Sequence, residues 1–454
     1  MYVHSDLTYE HDLNNMDSFI SSKYGLVKAL YYQRVEHKID KEKIFVISTP
    51  SNDSYHVLGY KVDIVNGSGA GINKKQTIIS AIGEHIERYS GTFIRDNRMV
   101  KNKTYLEMQQ QFNEQLVLSP SVDLNLYAEF QYKTDLYKKK NIVPFTDNAK
   151  INWIKGMNLL TKKDIYVPVD FISLKMIKHT QNVNIPTSSG LACGSSRESA
   201  LLNGIYEVLE RDAFCFRWWT QTSCPIVREQ DIQDTHVRSL MNNGKSKLYI
   251  LDATTDLKIP VFIGMISNEK GSNLPSRVLG AACHIDPQKA LNKAVIETLH
   301  TYGWAQSMYH DSIGIEYENY DEKVMSFDDH VKLYSKDEYA EKADILLQKN
   351  KYSTINKYNL CNDFNNEREE LNFVLSMLEK KGYEPIAVNL TTRDIQSVGL
   401  HVYRVYIPGL IQLDGPHAFR HWGGKRLYHL KQEMGLIDRE LTIHDLSQVP
   451  HPFP

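Results

Sequence analysis

The helix signal is strongest where apolar residues recur at i, i+1, i+4 and i+8. Ile78, Ile79, Ile82 and Ile86 follow this spacing, and so do Leu201, Leu202, Ile205 and Leu209. Each set forms one stripe and predicts a helix buried on that side only. Leu291, Val295 and Leu299 continue the theme. Strands are predicted where β-branched and aromatic residues run together: KIFVIST at 43–49, YKVDIV at 60–65, KLYILDA at 247–253, IPVFIGMI at 259–266, YEPIAVNL at 383–390 and LHVYRVYIPGLIQL at 400–413. Short β runs alternating with Gly-rich turns and longer helical patterns predict a mixed α/β (α+β) fold.

The stripes belong to a repeat. GSGAGINKKQTIISAIGEHIERYSGTF, from Gly67, aligns without a gap onto GLACGSSRESALLNGIYEVLERDAF, from Gly190, at an offset of 123 residues. Gly67 falls on Gly190, Gly71 on Gly194, Glu84 on Glu207, Glu87 on Glu210 and Arg88 on Arg211. A weaker third copy, GAACHIDPQKALNKAVIETLHTY, puts Gly280 at the Gly190 position and Glu297 at the Glu207 position. Lys293 stands one turn earlier, and His300 and Thr301 replace the second Glu and the Arg. Each copy reads as a Gly-bearing strand or turn followed by a helix, the glycine marking a positive φ or a close approach.

An isolated Glu-x-x-Glu-Arg is usually a solvated face with ion pairs of its own. Two gapless copies with matching glycines shift that balance. On a helix Glu84, Glu87 and Arg88 share one face. If several such helices converge, their carboxylates repel and need cations. Mg2+ is the natural one, because it takes oxygen ligands from a few carboxylates together with substrate phosphates. Arg88 and Arg211 can grip phosphate oxygens bidentately. Acids, arginines and Mg2+ together point to a nucleoside triphosphate, but not to a P-loop: GxxxxGK[ST] is absent, GSGAGI lacks GxGxxG spacing, and HWGGKRL has the glycines without the context. GxSxG, HExxH and a catalytic Cys signature are absent as well.

Composition narrows the picture further. With 53 basic and 55 acidic residues, a net charge of -2 gives no field for gripping nucleic acid or an acidic membrane. The 454 residues suffice for two or three domain-sized units. Five scattered cysteines, Cys193, Cys215, Cys224, Cys283 and Cys361, fit neither a zinc spacing nor an even disulfide set and read as reduced thiols. No signal peptide and no long apolar run is seen, so the expectation is a cytoplasmic protein off the membrane. Residues 308–372 are charged, Tyr-rich and poor in Gly, which predicts exposed helices between two parts of the core.

At this point GSGAGINKKQTIISAIGEHIERYSG, TSSGLACGSSRESALLNGIYEVLERDAF, LNKAVIETLHTY, HVYRVYIPGLIQLDGPHAFRHWGGKRLY and the terminal Pro450, Pro452 and Pro454 together resemble the YcaO family. The terminal PxPxP is similar to that of its stand-alone azoline-forming cyclodehydratase D proteins. The resemblance implies a YcaO-type fold of Gly-turn and helix units packed on mixed sheets around a non-P-loop site for ATP and Mg2+. It divides the chain into an N-terminal segment 1–60 and a catalytic domain 61–454, with a helical excursion at about 308–372 and a Pro-rich tail 448–454.

Carried over by position, the first family motif falls on Ser80, Glu84, Glu87 and Arg88. The second falls on Ser195, Ser199, Glu207 and Arg211, of which only the last two match; Glu198 lies beside Ser199. In the third, Lys293 replaces an arginine and Glu297 matches. Ala70 stands where many relatives carry lysine. The implied metal ligands are Glu84, Glu87, Glu207 and Glu297, and the implied ATP contacts are Ser80, Arg88, Ser195, Ser199, Arg211 and Lys293. The departures leave open a variant or a weakened ATP pocket.

The implied reaction is ATP-dependent cyclodehydration of Cys, Ser or Thr in a ribosomally made precursor peptide to thiazoline or oxazoline. Thioamide or amidine formation, or an ATP-binding scaffold without turnover, are the rivals. Implied partners are the precursor peptide, a ThiF-like C-protein that delivers it, a flavin dehydrogenase acting later, and a second copy in a homodimer. A Pro-rich terminus by itself is more often a frayed end. In the D-protein context Pro450, Pro452 and Pro454 instead stiffen a segment that orders the cyclisation site. His417, Arg420, His421 and Arg426 read equally as groups on or just behind the substrate side or as ordinary surface residues, and Arg404 as a group aimed into the core site or paired structurally.

Overall fold

All three repeat copies fold as a strand leading into a helix. β1 (Gly67–Gly71) precedes α1 (Lys74–Thr92), β2 (Leu191–Gly194) precedes α2 (Arg197–Trp219), and β3 (Arg277–Cys283) precedes α3 (Pro287–Ser312). The computed structural model describes residues 16–33, 44–53, 66–113, 116–120, 126–177, 180–243, 246–358 and 364–454. YKVDIV and Cys361 lie outside the described residues.

Local chemistry starts these helices. The Asn73 side chain accepts from Lys75 N and Gln76 N ahead of α1. Asp286 does the same for Gln288 N and Lys289 N ahead of α3, whose first residue is Pro287. The apolar stripes then bury: Ile82, Ile86, Leu201, Leu202, Ile205, Leu209, Leu291, Val295 and Leu299 are all core residues, each worth roughly 1.5–3 kcal/mol of apolar burial. The strand glycines let each strand lie directly on its helix. A Cβ at Gly67 would stand 2.6 Å from His85 N, and one at Gly280 2.5 Å from Thr298 N, so both strands touch backbone beside Glu84 and Glu297.

The chain divides into two compact units. The first comprises Met1–Val35, Ile44–Val208 and Asp363–Gly409. Among its described residues are two sheets. One joins Tyr31–Gln33, Phe45–Thr49 and β1. The other runs Met99–Lys103, Ile151–Asn158, Ile386–Asn389, β4 (His401–Tyr406) and β2, with Asp164–Pro168 also paired to Ile151–Asn158. The strand predicted over 400–413 stops at Tyr406, because Pro408 has no N–H to donate and Gly409 turns the chain at φ +88.

A buried carboxyl in this unit carries a pH dependence. Asp170 Oδ2 accepts the Val183 N–H at 2.7 Å, and burial pushes the acid from 3.8 up to about 7, the hydrogen bond pulling the other way. Between those values the folded state holds a proton that the unfolded state has lost. Stability therefore falls as pH rises through this window and levels off above it, by up to about 1.4 kcal/mol per pH unit. Asp170→Asn is expected to flatten this slope in urea titrations at pH 5 and pH 7.5; an unchanged slope would remove Asp170 as its source.

The second unit, Glu36–Lys43, Leu209–Asn362 and Leu410–Pro454, is built on β3, Val261–Asn268, Ser246–Asp252, Cys224–Val227 and Leu347–Ser353 in that order, with Asn242–Asn243 paired to Ser246–Asp252. The pairing is antiparallel except between the last two strands. α3 packs on β3 and its neighbour. Residues 308–372 carry more than surface helices: Leu347–Ser353 is a sheet strand, and α4 (Phe327–Ser335) buries His330, Val331, Leu333 and Tyr334. LQKNKYS escaped notice because an edge strand needs no apolar run. Arg426 bonds Asp212 through Nε at 2.8 Å and Nη2 at 2.9 Å, and Asp256 at 2.7 Å. Arg426 is buried in this network rather than an ordinary surface residue.

Candidate functional site

In the first unit each acidic side chain of the repeat is held by a backbone N–H of a glycine-bearing segment. Glu84 Oε2 accepts from Ser68 N and, at 3.1 Å, from Ser68 Oγ, while Oε1 takes Arg88 Nη2 at 2.7 Å. Arg88 also donates to Asn66 O. Glu87 Oε1 accepts the Cys193 N–H of β2 at 2.7 Å, and Glu207 Oε2 accepts the Gly190 N–H at 3.0 Å. Only glycine fits position 190: its φ is +82 and a Cβ would collide with Val405 O.

These contacts draw Glu84, Glu87 and Glu207 from two helices into one electrostatic group. Burial, reinforced by the charges of Glu84 and Glu207, pushes the Glu87 carboxyl well above the usual range, against its bond to Cys193 and the pull of Arg88. Ser80 lies exposed on α1 one turn before Glu84, and Ala70 stands part-buried in β1 opposite Val46. Ser195 is exposed at the start of the second helical unit, and Ser199 is tied locally, its N–H donating to Ser196 Oγ at 2.9 Å. Glu198 faces Arg368 at 3.7 Å.

The second unit holds a group of its own. α2 continues into it with Glu210 and Arg211. The Arg211 guanidinium lies 4.4 Å from the Phe453 ring centroid, and its Nε is 3.5 Å from Glu210 Oε1. On α3, Lys293 is exposed one turn before Glu297. Burial would raise the Glu297 carboxyl, but His300, 3.7 Å away, with Lys293 and Arg211, holds it below its ordinary value.

The tail is not a frayed end. Pro450, His451, Pro452 and Phe453 are buried. Trp218 Nε1 donates to Val449 O at 3.1 Å, Tyr334 to Pro450 O at 2.6 Å, and a His330 ring nitrogen meets His451 O at 2.7 Å. The two imidazoles stack at 3.9 Å, and Phe453 sits 4.5 Å from Phe214. His330 and Phe453 were missed from sequence; an aromatic wedged between spaced prolines was the only signal. His417 and His421 are also buried, His421 against Gln412 O at 3.1 Å, and Arg420 pairs with Asp321 at 2.6 Å.

Over residues 68–411 the sequence matches the family described as YcaO cyclodehydratase, ATP- and Mg2+-binding. The chain belongs to the YcaO family. ATP and Mg2+ are the cofactors of YcaO proteins. The YcaO fold is shared with a heterocyclase in complex with substrate and cofactor (TM-score 0.79, 22% identity), covering 100% of this chain and 58% of that one. It is shared as well with YcaO from Methanopyrus kandleri bound with AMPPCP and Mg2+ (TM-score 0.57, 18% identity, 85% and 86% covered). An uncharacterized protein in the tfuA 3′ region of Rhizobium leguminosarum bv. trifolii is 29% identical over 164 residues, 32% of this chain and 38% of its own. The chain thus spans well under two thirds of that relative and of the heterocyclase.

The residues fit the family's cofactors. Glu84 and Glu207, both acting on the buried Glu87, offer carboxylate oxygens of the kind a hard cation takes. Among the described residues no three or more His, Cys, Asp or Glu side chains are gathered closely enough to hold a metal ion by themselves. Cys193, Cys215, Cys224 and Cys283 are free thiols, and no described helix is long and apolar enough to cross a membrane.

Proposed function

We propose that this YcaO protein is the ATP-dependent cyclodehydratase subunit that converts Cys, Ser or Thr of a ribosomal precursor peptide into thiazoline or oxazoline. The observation that carries the reading is the crowding of Glu84 and Glu207 on Glu87, each of the three carboxylates locked by a backbone N–H. Bound Mg-ATP supplies the phosphoryl group that turns an amide oxygen into a leaving group. Glu84, Glu87 and Glu207 hold the metal. The backbone donors on them keep these carboxylates in place, so little reorganisation is needed on binding. Arg88, tied to both Glu84 and Asn66 O, orients Glu84 and faces phosphate. Ser80, Ser195 and Ser199 are further ATP-contact candidates.

In the second unit Arg211 and Lys293 are proposed as ATP contacts and Glu297 as a metal ligand. Pro450, Pro452 and Pro454 are proposed to order the cyclisation machinery by holding Phe453 under Arg211, since alternating prolines stiffen the segment that carries the ring. The same reading includes a homodimer, delivery of the precursor by a ThiF-like partner and, later, ring oxidation by a flavin dehydrogenase.

Mass spectrometry of a co-encoded Cys/Ser/Thr-containing peptide, incubated with the protein, a ThiF-like partner and Mg-ATP, tests the proposal. The expected result is a loss of about 18 Da per ring, matched by peptide-dependent phosphate release. Phosphate release without mass loss, or no peptide dependence, would overturn it. Phe453→Ala is expected to lose the dehydration while still binding ATP.

A further inference from the structure

Arg404 is the one strand residue that the sequence singled out and the site above leaves unused. It lies on β4, in register with Leu191 of β2 and with Val388. Side chains alternate across a sheet. Its neighbour Tyr403 lines an open cleft of about 690 Å³ with Ala387 and Asn389 on one face, so Arg404 points to the other. It shares that face with its register partner Leu191, against whose side chain Gly91 of α1 packs, so Arg404 lies on the side of the helix that carries Glu84 and Glu87.

The side chain is 3% exposed, yet its Nε and Nη1 have no hydrogen-bond partner among the described residues. Burial lowers the guanidinium to about 10, and the Glu207 charge opposes that shift, so the group stays charged at neutral pH beside a carboxylate. A buried donor left unmade costs about 1–3 kcal/mol, and buried polar groups are nearly always satisfied. The Nε–H and the Nη1 hydrogens leave the guanidinium on different edges, which suits a polyanion that can offer an oxygen to each. A free carboxylate would add to the repulsion already present among Glu84, Glu87 and Glu207. A metal-bound phosphoryl group brings its own counter-charge.

We propose that Arg404 is a phosphate-binding residue, donating from Nε and from Nη1 to separate phosphate oxygens of the nucleotide bound at Glu84, Glu87 and Glu207. This rests on the nucleotide-binding reading given above. Calorimetric titration of the whole protein with Mg-ATP and with adenosine, for wild type, Arg404→Met and Arg404→Lys, tests it. Arg404→Met is expected to weaken Mg-ATP by about tenfold or more while leaving adenosine nearly unchanged. Arg404→Lys falls between, because an ammonium keeps the charge but cannot donate in two fixed, separate directions.

Without nucleotide, Arg404→Met is expected to melt no lower than wild type. A variant that melts lower but binds Mg-ATP as wild type does would make Arg404 a structural partner of Glu207, with ordered water on its free hydrogens, and overturn the proposal. If wild type binds no Mg-ATP, the underlying reading fails with it. If wild type binds and both folded variants bind equally well, only the assignment of Arg404 fails. Should Arg404→Met not fold, Arg404→Lys decides.

Discussion

Glu207→Gln is expected to lower Mg2+-dependent ATP turnover on the order of a hundredfold with the fold intact. The glutamine retains an oxygen for the Gly190 N–H that Glu207 now accepts at 3.0 Å, so the β2 and α2 geometry has no reason to change. What disappears is one of the two acidic charges that act on Glu87 in the first unit. A hard cation is held by charge and by oxygen donors, and a neutral amide supplies only the second. The deficit should therefore shrink as Mg2+ is raised. Phosphate release measured against Mg2+ concentration, beside a thermal melt of the same protein, reads both effects. Turnover within about threefold of wild type at equal stability would take Glu207 out of the metal group.

Arg426→Met carries the largest expected loss of stability, about 3–5 kcal/mol. Asp212 is fully buried, receives two guanidinium bonds from Arg426 and one from Ile411 N at 2.9 Å, and shares that arginine with Asp256. A methionine leaves both acids in place without their cation, and a buried unpaired carboxylate is far costlier than a missing contact. Asp212→Asn in the same chain should recover part of the loss, since the amide still accepts from Ile411 and carries no charge. Urea unfolding followed through Trp218 and Trp219, both in the second unit core, supplies the comparison. A loss under about 1 kcal/mol would mean that water reaches the pair and that it behaves like a surface bridge.

Much of the architecture was legible because its signals are local. The apolar spacing of Ile82 and Ile86, or of Leu291, Val295 and Leu299, belongs to one helix and can be read within it. The glycines could be read too, as positions of close approach, although only the structure shows what approaches: helix backbone at Gly67 and Gly280, and Val405 O at Gly190. The matching positions of Glu84 and Glu207 followed from the repeat. Arg426 and the tail were harder. Nothing in KRLYHL distinguishes a surface arginine from one that neutralises two distant acids, and PHPFP reads alike whether loose or docked.

From sequence alone came the three strand and helix units, the acidic and basic faces on α1 and α2, and the family to which those faces belong. The tertiary structure alone decided which donor meets each carboxylate, that the tail lies buried against His330, Phe214 and Arg211, and that Arg404 leaves Nε and Nη1 without a hydrogen-bond partner among the described residues. The reason lies in range. Periodicity and capping act within a few residues, whereas Glu87 finds its partner at Cys193, 106 positions along the chain. No local preference encodes a pairing that forms only when the strands have found their register.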